Sequence, residues 1–229
     1  KDLALIVSDV PASAAAVYTT NLVEGAPLTV TKNNLANGIA QAVICNSGNA
    51  NTCNANSIQI AEDMCALVEK HTGIPASDVV VASTGVIGQV LDLTPIANGM
   101  ASLVSGLSVP GAADAAQAIM TTDTIPKEVA VEFEIGGKTC RMGGIAKGSG
   151  MIHPNMATML VFITTDCAIT PEMLQSALKG DVPGTFNMTS VDGDTSTNDM
   201  VTVLANGLAG NAPITCAGAD FDIFMKALN

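Results

Sequence analysis

Hydrophobic and polar positions change their period several times along the chain, and the changes predict short strands interleaved with amphipathic helices. Strands are indicated where apolar residues alternate or run together between turn residues, and helices where apolar residues recur every three or four positions. The predicted strands cover residues 3–7, 14–19, 41–45, 78–82, 159–163 and 186–191, and the predicted helices cover residues 54–71, 95–105, 112–120, 198–206 and 221–228.

Two local signals predict further elements with more detail. Apolar residues alternate over 129–135, a Gly-Gly pair follows, and residues 138–142 would form the returning strand. This pattern is typical of a β-hairpin with a two-residue turn. Thr170 followed by Pro171 predicts a helix that has a threonine N-cap and proline at its first helical position.

The alternation of strands and helices predicts a mixed α/β architecture of layered sheet and helix, in one domain that spans residues 1–229. The sequence has no internal repeat, low-complexity stretch or linker composition that would divide it. Its first residues have the pattern of a strand rather than of a signal peptide. No apolar run reaches the roughly 18 residues that a membrane-spanning helix needs, so no membrane partner is expected.

Composition narrows the function classes. A hydrophobic fraction of 48% and a charged fraction of 13% are typical of a core-rich globular protein. The net charge of −12, with only nine basic residues, argues against a nucleic-acid partner, because phosphate binding needs clustered lysine and arginine. The six cysteines lack C-x-x-C or zinc spacing, which favours a reducing cytoplasm, and the two histidines lack the neighbours of a metal site, so no metal is expected.

A candidate chemistry lies at residues 147–160, where a loop rich in glycine and proline leads into Thr158 and an apolar strand. If the bond between Ala157 and Thr158 were cut, Thr158 would carry a hydroxyl nucleophile and a free α-amino group. The reference pKa of an α-amino group is about 7.7 to 8.0, so near neutral pH the amine can accept the hydroxyl proton. This is the arrangement of enzymes with an N-terminal threonine nucleophile.

Four sequence blocks together carry a family resemblance. Residues 147–160 closely resemble the self-cleavage motif of the bifunctional ornithine acetyltransferase/N-acetylglutamate synthase family of arginine biosynthesis. Three further blocks resemble the other signatures of that family in the same order: Asn46–Asn51 (NSGNAN), Ser83–Gly88 (STGVIG) and Val191–Asp199 (VDGDTSTND).

The resemblance implies a fold of stacked β-sheets flanked by helices, like that of self-processing enzymes with an N-terminal nucleophile. It implies self-cleavage into an α-chain part, residues 1–157, and the start of a β chain, residues 158–229. The cleaved chains would associate as a heterotetramer of two α and two β chains. Relative to the family the chain looks truncated at both ends, and the expected C-terminal substrate-binding segments are missing.

The resemblance also implies a reaction and its residues. Acetyl would pass from N2-acetylornithine to Thr158, and from the acetyl-threonine to glutamate, in a ping-pong cycle without a cofactor; whether acetyl-CoA also serves as a donor is left open. Thr158 would be the nucleophile and, through its amine, the base. Thr84 and Gly85 would form the oxyanion hole, and Thr121, Lys147 and Thr158 would bind substrate.

Two motif-based interpretations do not fit the sequence. The run Asp192–Thr197 spaces oxygen ligands as a calcium loop does, but it lacks the glycine and the glutamate that such a loop needs. Lys147 is not followed by serine or threonine, so the loop around it does not predict ATP binding. Two alternatives remain open: a self-processed amidase or aminopeptidase, and an inactive fragment.

Overall fold

The computed structural model describes residues 2–151 and 159–229, so Ala157 and Thr158 lie outside the described residues. The described residues place seven strands in one sheet, in the order β3-β2-β1-β7-β6-β5-β4. The pairs β2–β3 and β6–β7 are parallel, and the other four pairs are antiparallel. The strands are β1 (Leu3–Tyr18), β2 (Ile39–Asn46), β3 (Val79–Ser83), β4 (Lys127–Ile135), β5 (Lys138–Lys147), β6 (Leu160–Thr165) and β7 (Met200–Ala205).

Helices flank this sheet. Alternate residues of β3 point to opposite faces: Val79 and Val81 pack in a cluster with the apolar face of the second helix, while Val80 and Ala82 pack in a cluster that includes Ile119. Both faces of the β3 end of the sheet are therefore covered. The helices are α1 (Ala26–Asn34), α2 (Ser57–Thr72), α3 (Thr94–Ser105), α4 (Ala112–Ala118), α5 (Pro171–Asp181) and α6 (Ala219–Leu228).

The predicted α/β class is confirmed, and so are two local predictions. Gly136 and Gly137 have φ values of 56° and 74°, which is the backbone of a tight hairpin turn between β4 and β5. Thr170 caps α5, since its side chain accepts a hydrogen bond from the Met173 amide. The described residues form one sheet rather than the stacked sheets that the family resemblance implies.

The prediction of two strands at residues 3–7 and 14–19 was wrong, because the structure has one continuous strand, β1. The pairing of β1 with β2 shifts register between Val7 and Ala12, which marks a bulge. Pro11 lies within this irregular stretch, where a residue without an amide hydrogen costs no ladder hydrogen bond. The strand therefore continues through the proline.

Two predictions near the C-terminal end were also wrong. Residues 198–206, predicted as a helix, contain strand β7, and all six residues of Met200–Ala205 are buried between β1 and β6. A short apolar run that is buried on both faces has no period that separates strand from helix. Residues 186–191, predicted as a strand, begin with a 3₁₀ turn at Phe186–Met188.

Helix α1 was not predicted from the sequence. Its nine residues include the β-branched Val30 and Thr31, which weaken a helical pattern. None of the helices among the described residues is long and apolar enough to cross a membrane.

Helix α6 is anchored to the sheet by Phe224. Its side chain is fully buried, and its ring meets that of Phe133 on β4 edge to face, with 6.1 Å between centroids. We expect Phe224→Ala to lower the free energy of unfolding by about 3 to 5 kcal/mol through the cavity it leaves. Urea unfolding checks this, with Ile223→Ala as the control, since Ile223 is 39% exposed on the same helix. Equal losses in the two variants would contradict this packing.

Candidate functional site

A buried lysine lies at the centre of the candidate site. Lys147 is the last residue of β5 and is only 2% exposed. Its Nζ donates hydrogen bonds to the hydroxyl of Thr84, at 2.9 Å, and to the hydroxyl of Thr121, at 3.3 Å. The structure thus brings together three of the residues that the sequence predicts for the site, although they are far apart along the chain.

The charge of Lys147 is balanced by nearby acidic groups. Burial lowers the pKa of the lysine, because a charge is less stable away from water, and the neighbouring Asp123, Cys45 and Asp199 oppose this shift. Burial also raises the pKa of the Cys45 thiol to about 12, so that thiol stays neutral near pH 7. Asp123, whose pKa is lowered, therefore provides negative charge near neutral pH, and Asp199, whose pKa is raised to about 8, adds to it as the pH rises. We refer to Lys147, Thr84, Thr121, Asp123 and Asp199 as the Lys147 cluster.

Asp123 fixes the loop that carries Thr121. Its carboxylate accepts hydrogen bonds from the Gly148 amide at 2.8 Å and from the Thr121 amide at 3.3 Å, and it forms an ion pair with Lys127. Burial would raise the pKa of Asp123, but these partners outweigh burial and the pKa is lowered. Sequence reasoning missed this residue, although an aspartate after two threonines is a common turn former.

Thr84 and Gly85 follow the end of β3 directly. The Thr84 amide donates to the Asn46 carbonyl at 2.8 Å, so the hydroxyl is the donor that remains on this residue. Since that hydroxyl accepts from Lys147, its own hydrogen is free to point elsewhere. The Gly85 amide donates to no acceptor among the described residues. The Thr84 hydroxyl and the Gly85 amide, on adjacent residues, can thus both donate hydrogen bonds to one anion.

Gly85 could not be another residue. Its φ is 123°, and a Cβ there would lie 2.9 Å from the amide nitrogen of Asn49 and 2.9 Å from the carbonyl carbon of Gly48. The block Asn46–Asn51 is thus the surface against which Gly85 packs. Two asparagines shape that block, because Asn46 accepts from the Gly48 amide at 2.9 Å and Asn49 accepts from the Asn51 amide at 2.7 Å.

Asn198 joins this surface to the loop before β7. Its side-chain amide donates to the carbonyls of Ala50, at 2.7 Å, and Ser83, at 2.9 Å. Its side-chain oxygen accepts from the hydroxyls of Thr52, at 2.7 Å, and Thr197, at 2.6 Å. All four hydrogen-bonding positions of the amide are used in a buried place. The side chain therefore holds the end of β3 and the asparagine-rich block in one arrangement.

Asp192 and Asp199 contact the chain on the two sides of residues 152–158. The Asp192 carboxylate accepts from the Met151 amide at 2.6 Å, and the Asp199 carboxylate accepts from the Met159 amide at 2.9 Å. Both acids belong to the block Val191–Asp199, whose role the sequence left open. The block meets the main chain before and after the predicted cleavage position, while Ala157 and Thr158 themselves lie outside the described residues.

The described part of the chain contains no group of three His, Cys, Asp or Glu side chains that could hold a metal ion. The six cysteines are free thiols, four of them buried. The arrangement itself offers two hydrogen-bond donors, the Thr84 hydroxyl and the Gly85 amide, close to the buried Lys147.

Comparison with known proteins points to one family. The sequence profile of the ArgJ family matches residues 1–229. The arginine biosynthesis bifunctional protein ArgJ of Symbiobacterium thermophilum is 52% identical over 229 residues, which is all of this chain and 57% of that protein. The chain thus spans little more than half the length of the curated relative.

Solved structures give the same result. The crystal structure of the arginine biosynthesis bifunctional protein ArgJ from Bacillus halodurans is 46% identical, with a TM-score of 0.64, and the match covers 69% of this chain and 83% of that chain. The ornithine acetyltransferase of Mycobacterium tuberculosis, solved in complex with ornithine, is 32% identical with a TM-score of 0.57, and the match covers 69% of this chain and 84% of that one.

We expect Asn198→Ala to destabilise the fold strongly, because it leaves the buried Ser83 carbonyl without its donor and the Thr197 hydroxyl without its acceptor. It also removes one of the two donors to the Ala50 carbonyl. An unsatisfied buried polar group costs about 1 to 3 kcal/mol, so a loss of about 3 kcal/mol or more is expected. Chemical unfolding measures it, with Asn206→Ala as the control. Asn206 is half-buried, and its side-chain amide makes two hydrogen bonds, to the Ser8 hydroxyl at 3.3 Å and from the Leu208 amide at 3.2 Å, compared with four for Asn198. A loss no larger than that of the control would refute the assigned role.

Proposed function

The chain belongs to the ArgJ family, and on that basis we propose that it acts as a glutamate N-acetyltransferase of arginine biosynthesis. It would cleave itself between Ala157 and Thr158 and then move acetyl from N2-acetylornithine to glutamate through an acetyl-threonine intermediate. The observation that carries the proposal is the buried Lys147, hydrogen-bonded to Thr84 and Thr121 at the end of the strand that leads toward the cleavage position.

Lys147 is suited to bind the substrate's α-carboxylate. An ammonium group has three N–H donors, and two of those on Lys147 go to Thr84 and Thr121. The third is available for a carboxylate oxygen, and the low polarity around a buried lysine strengthens such a pair. N-acetylornithine and glutamate both carry an α-carboxylate, so one lysine can serve both halves of the ping-pong cycle.

Thr84 and Gly85 supply the oxyanion hole in this proposal. When the Thr158 hydroxyl attacks the acetyl carbonyl, its proton passes to the α-amine and the carbonyl oxygen becomes negative. The Thr84 hydroxyl and the Gly85 amide are the free donors for that oxygen. Ornithine then leaves with the proton on its amine, and the amine of glutamate attacks the acetyl-threonine through the same steps in reverse.

The remaining features of the proposal follow the family. Residues 1–157 and 158–229 would form one α/β domain after cleavage and would associate further as two α and two β chains in the cytoplasm. No step requires a cofactor. Acetyl-CoA is a second acetyl donor to be tested, with the free Thr158 hydroxyl as the acceptor and the same acetyl-threonine as the intermediate.

The first experiment is the intact mass of the purified protein under denaturing conditions. Two masses that correspond to a break between Ala157 and Thr158 support the proposal, and Thr158→Ala should give a single uncut mass. A Thr158→Ala protein that still splits at this bond would refute the proposed nucleophile. In assays with N-acetylornithine, acetylglutamate formed in step with ornithine indicates transfer, and free acetate indicates the amidase alternative.

We expect Thr84→Val to lower the acetyl-transfer rate about 10²- to 10³-fold, the usual loss when one oxyanion donor is removed. Valine keeps the shape of threonine but lacks the hydroxyl, whereas Thr84→Ser keeps the hydroxyl and should retain most of the rate. Thr139→Val is the matched control, because Thr139 is exposed near the other end of β5. A Thr84→Val rate equal to that of the control would exclude the hydroxyl from the oxyanion hole.

A further inference from the structure

Asp199 has one carboxylate oxygen engaged and one free. The residue is 1% exposed and lies directly before β7. Its Oδ1 accepts the hydrogen bond from the Met159 amide at 2.9 Å. Its Oδ2 is buried and has no hydrogen-bond partner among the described residues. A buried carboxylate oxygen without a partner lowers the stability of the fold, so a functional role is needed to explain it.

The backbone around this carboxyl group is fixed. The Met200 amide donates to the Met159 carbonyl at 3.0 Å, and the Thr19 amide donates to the Asp199 carbonyl at 3.0 Å. Strands β6 and β7 continue from there as a parallel pair, with Leu160 opposite Met200. The Met159 nitrogen belongs to the peptide bond that joins residues 158 and 159, so the carboxyl group accepts from the amide that directly follows the predicted nucleophile in the sequence.

The charges around Asp199 poise it to exchange a proton. Burial raises its pKa to about 8, and the Met159 amide, Ser196 and the positive charge of Lys147 limit this rise. Lys147, on β5, is the charged side chain that acts on it; Asp123 and Cys45 in turn act on Lys147. Near pH 7 the carboxyl group is therefore mostly protonated, and as the pH rises toward 8 and above a growing fraction is the carboxylate, which can accept a proton.

Other ionisable groups near Lys147 are poor proton acceptors. The Cys45 thiol is protonated, since its pKa is raised to about 12. The Asp123 carboxylate is occupied by Lys127 and two amides, and its lowered pKa makes it a weak base. The Lys147 amine already donates to two hydroxyl groups. Before cleavage Thr158 has no α-amine, so the base of the later transfer reaction does not yet exist.

We propose that Asp199 is the proton acceptor for the self-cleavage at the Ala157–Thr158 bond. The inference rests on the proposed function, which includes that cleavage. Oδ2 takes the proton of the Thr158 hydroxyl as its oxygen bonds to the Ala157 carbonyl carbon. The proton then passes to the Thr158 nitrogen as the C–N bond breaks, which leaves an ester and a free amine. Water opens the ester to the Ala157 carboxylate and the Thr158 hydroxyl.

The test is the cleavage rate of freshly made precursor between pH 6 and pH 9.5. Precursor is made by pulsed cell-free synthesis, chased at each pH, and scored by intact mass. Since the proposed base acts as the carboxylate, the wild-type rate should rise with pH, reach half its maximum near pH 8 and level off toward the upper end of the range. Asp199→Asn keeps an oxygen for the Met159 amide but cannot take up the proton. We expect at least a roughly 10²-fold slower cleavage without that inflection.

Asp166→Asn is the matched control. Asp166 follows β6 at its other end, and its carboxylate also accepts one main-chain amide, that of Arg141, at 2.7 Å. This variant should cleave with the wild-type rate and pH profile. Asp199→Asn that is folded, as its unfolding curve shows, and that cleaves with the wild-type rate and profile would overturn the inference. A wild-type precursor that does not cleave would overturn the proposed function itself.

A second variant tests the inference without altering Asp199. The positive charge of Lys147 lowers the pKa of Asp199, so Lys147→Gln should raise that pKa and move the inflection of the cleavage rate to higher pH. An inflection that stays at its wild-type position in Lys147→Gln would contradict Asp199 as the group that titrates.

Discussion

The burial of the Lys147 ammonium group is the constraint on which the candidate site depends. A charge that is taken out of water must find acceptors and opposite charge nearby, or the chain would not fold around it. Here the acceptors come from Thr84, after β3, and Thr121, after α4. The opposite charge comes from Asp123, and Asp199 adds to it when its carboxyl group, with a pKa of about 8, loses its proton. One side chain thus brings the ends of several elements to one place.

The central sheet sets where these elements meet. The parallel pairing of β6 with β7 aligns the residues just before the two strands, so that Asp199 meets Met159. The parallel pairing of β2 with β3 likewise brings the asparagine-rich block beside Gly85. Asn198 then ties the two regions together through the carbonyls of Ala50 and Ser83. The described residues of the four sequence blocks with a family resemblance are therefore joined in one arrangement.

Sequence reasoning predicted those features that depend on neighbours in the chain, such as the Gly-Gly hairpin turn and the Thr170 cap. The proposal of Thr84, Gly85, Thr121 and Lys147 as site residues came from the family resemblance, and no local pattern indicates that the lysine reaches two threonines. Strand β7 was misread as a helix because burial on both faces removes its period. The contacts of the Val191–Asp199 block follow from sheet pairing between distant residues, which a single sequence does not reveal.

The central claim is that a threonine released by self-cleavage carries the acetyl group beside the Lys147 cluster. The most direct test is the mass of the chain that starts at Thr158 after incubation with N-acetylornithine and without glutamate. The account predicts that this chain becomes one acetyl group heavier and returns to its original mass when glutamate is added. A cleaved, folded protein that releases ornithine while this chain never gains mass would contradict the account.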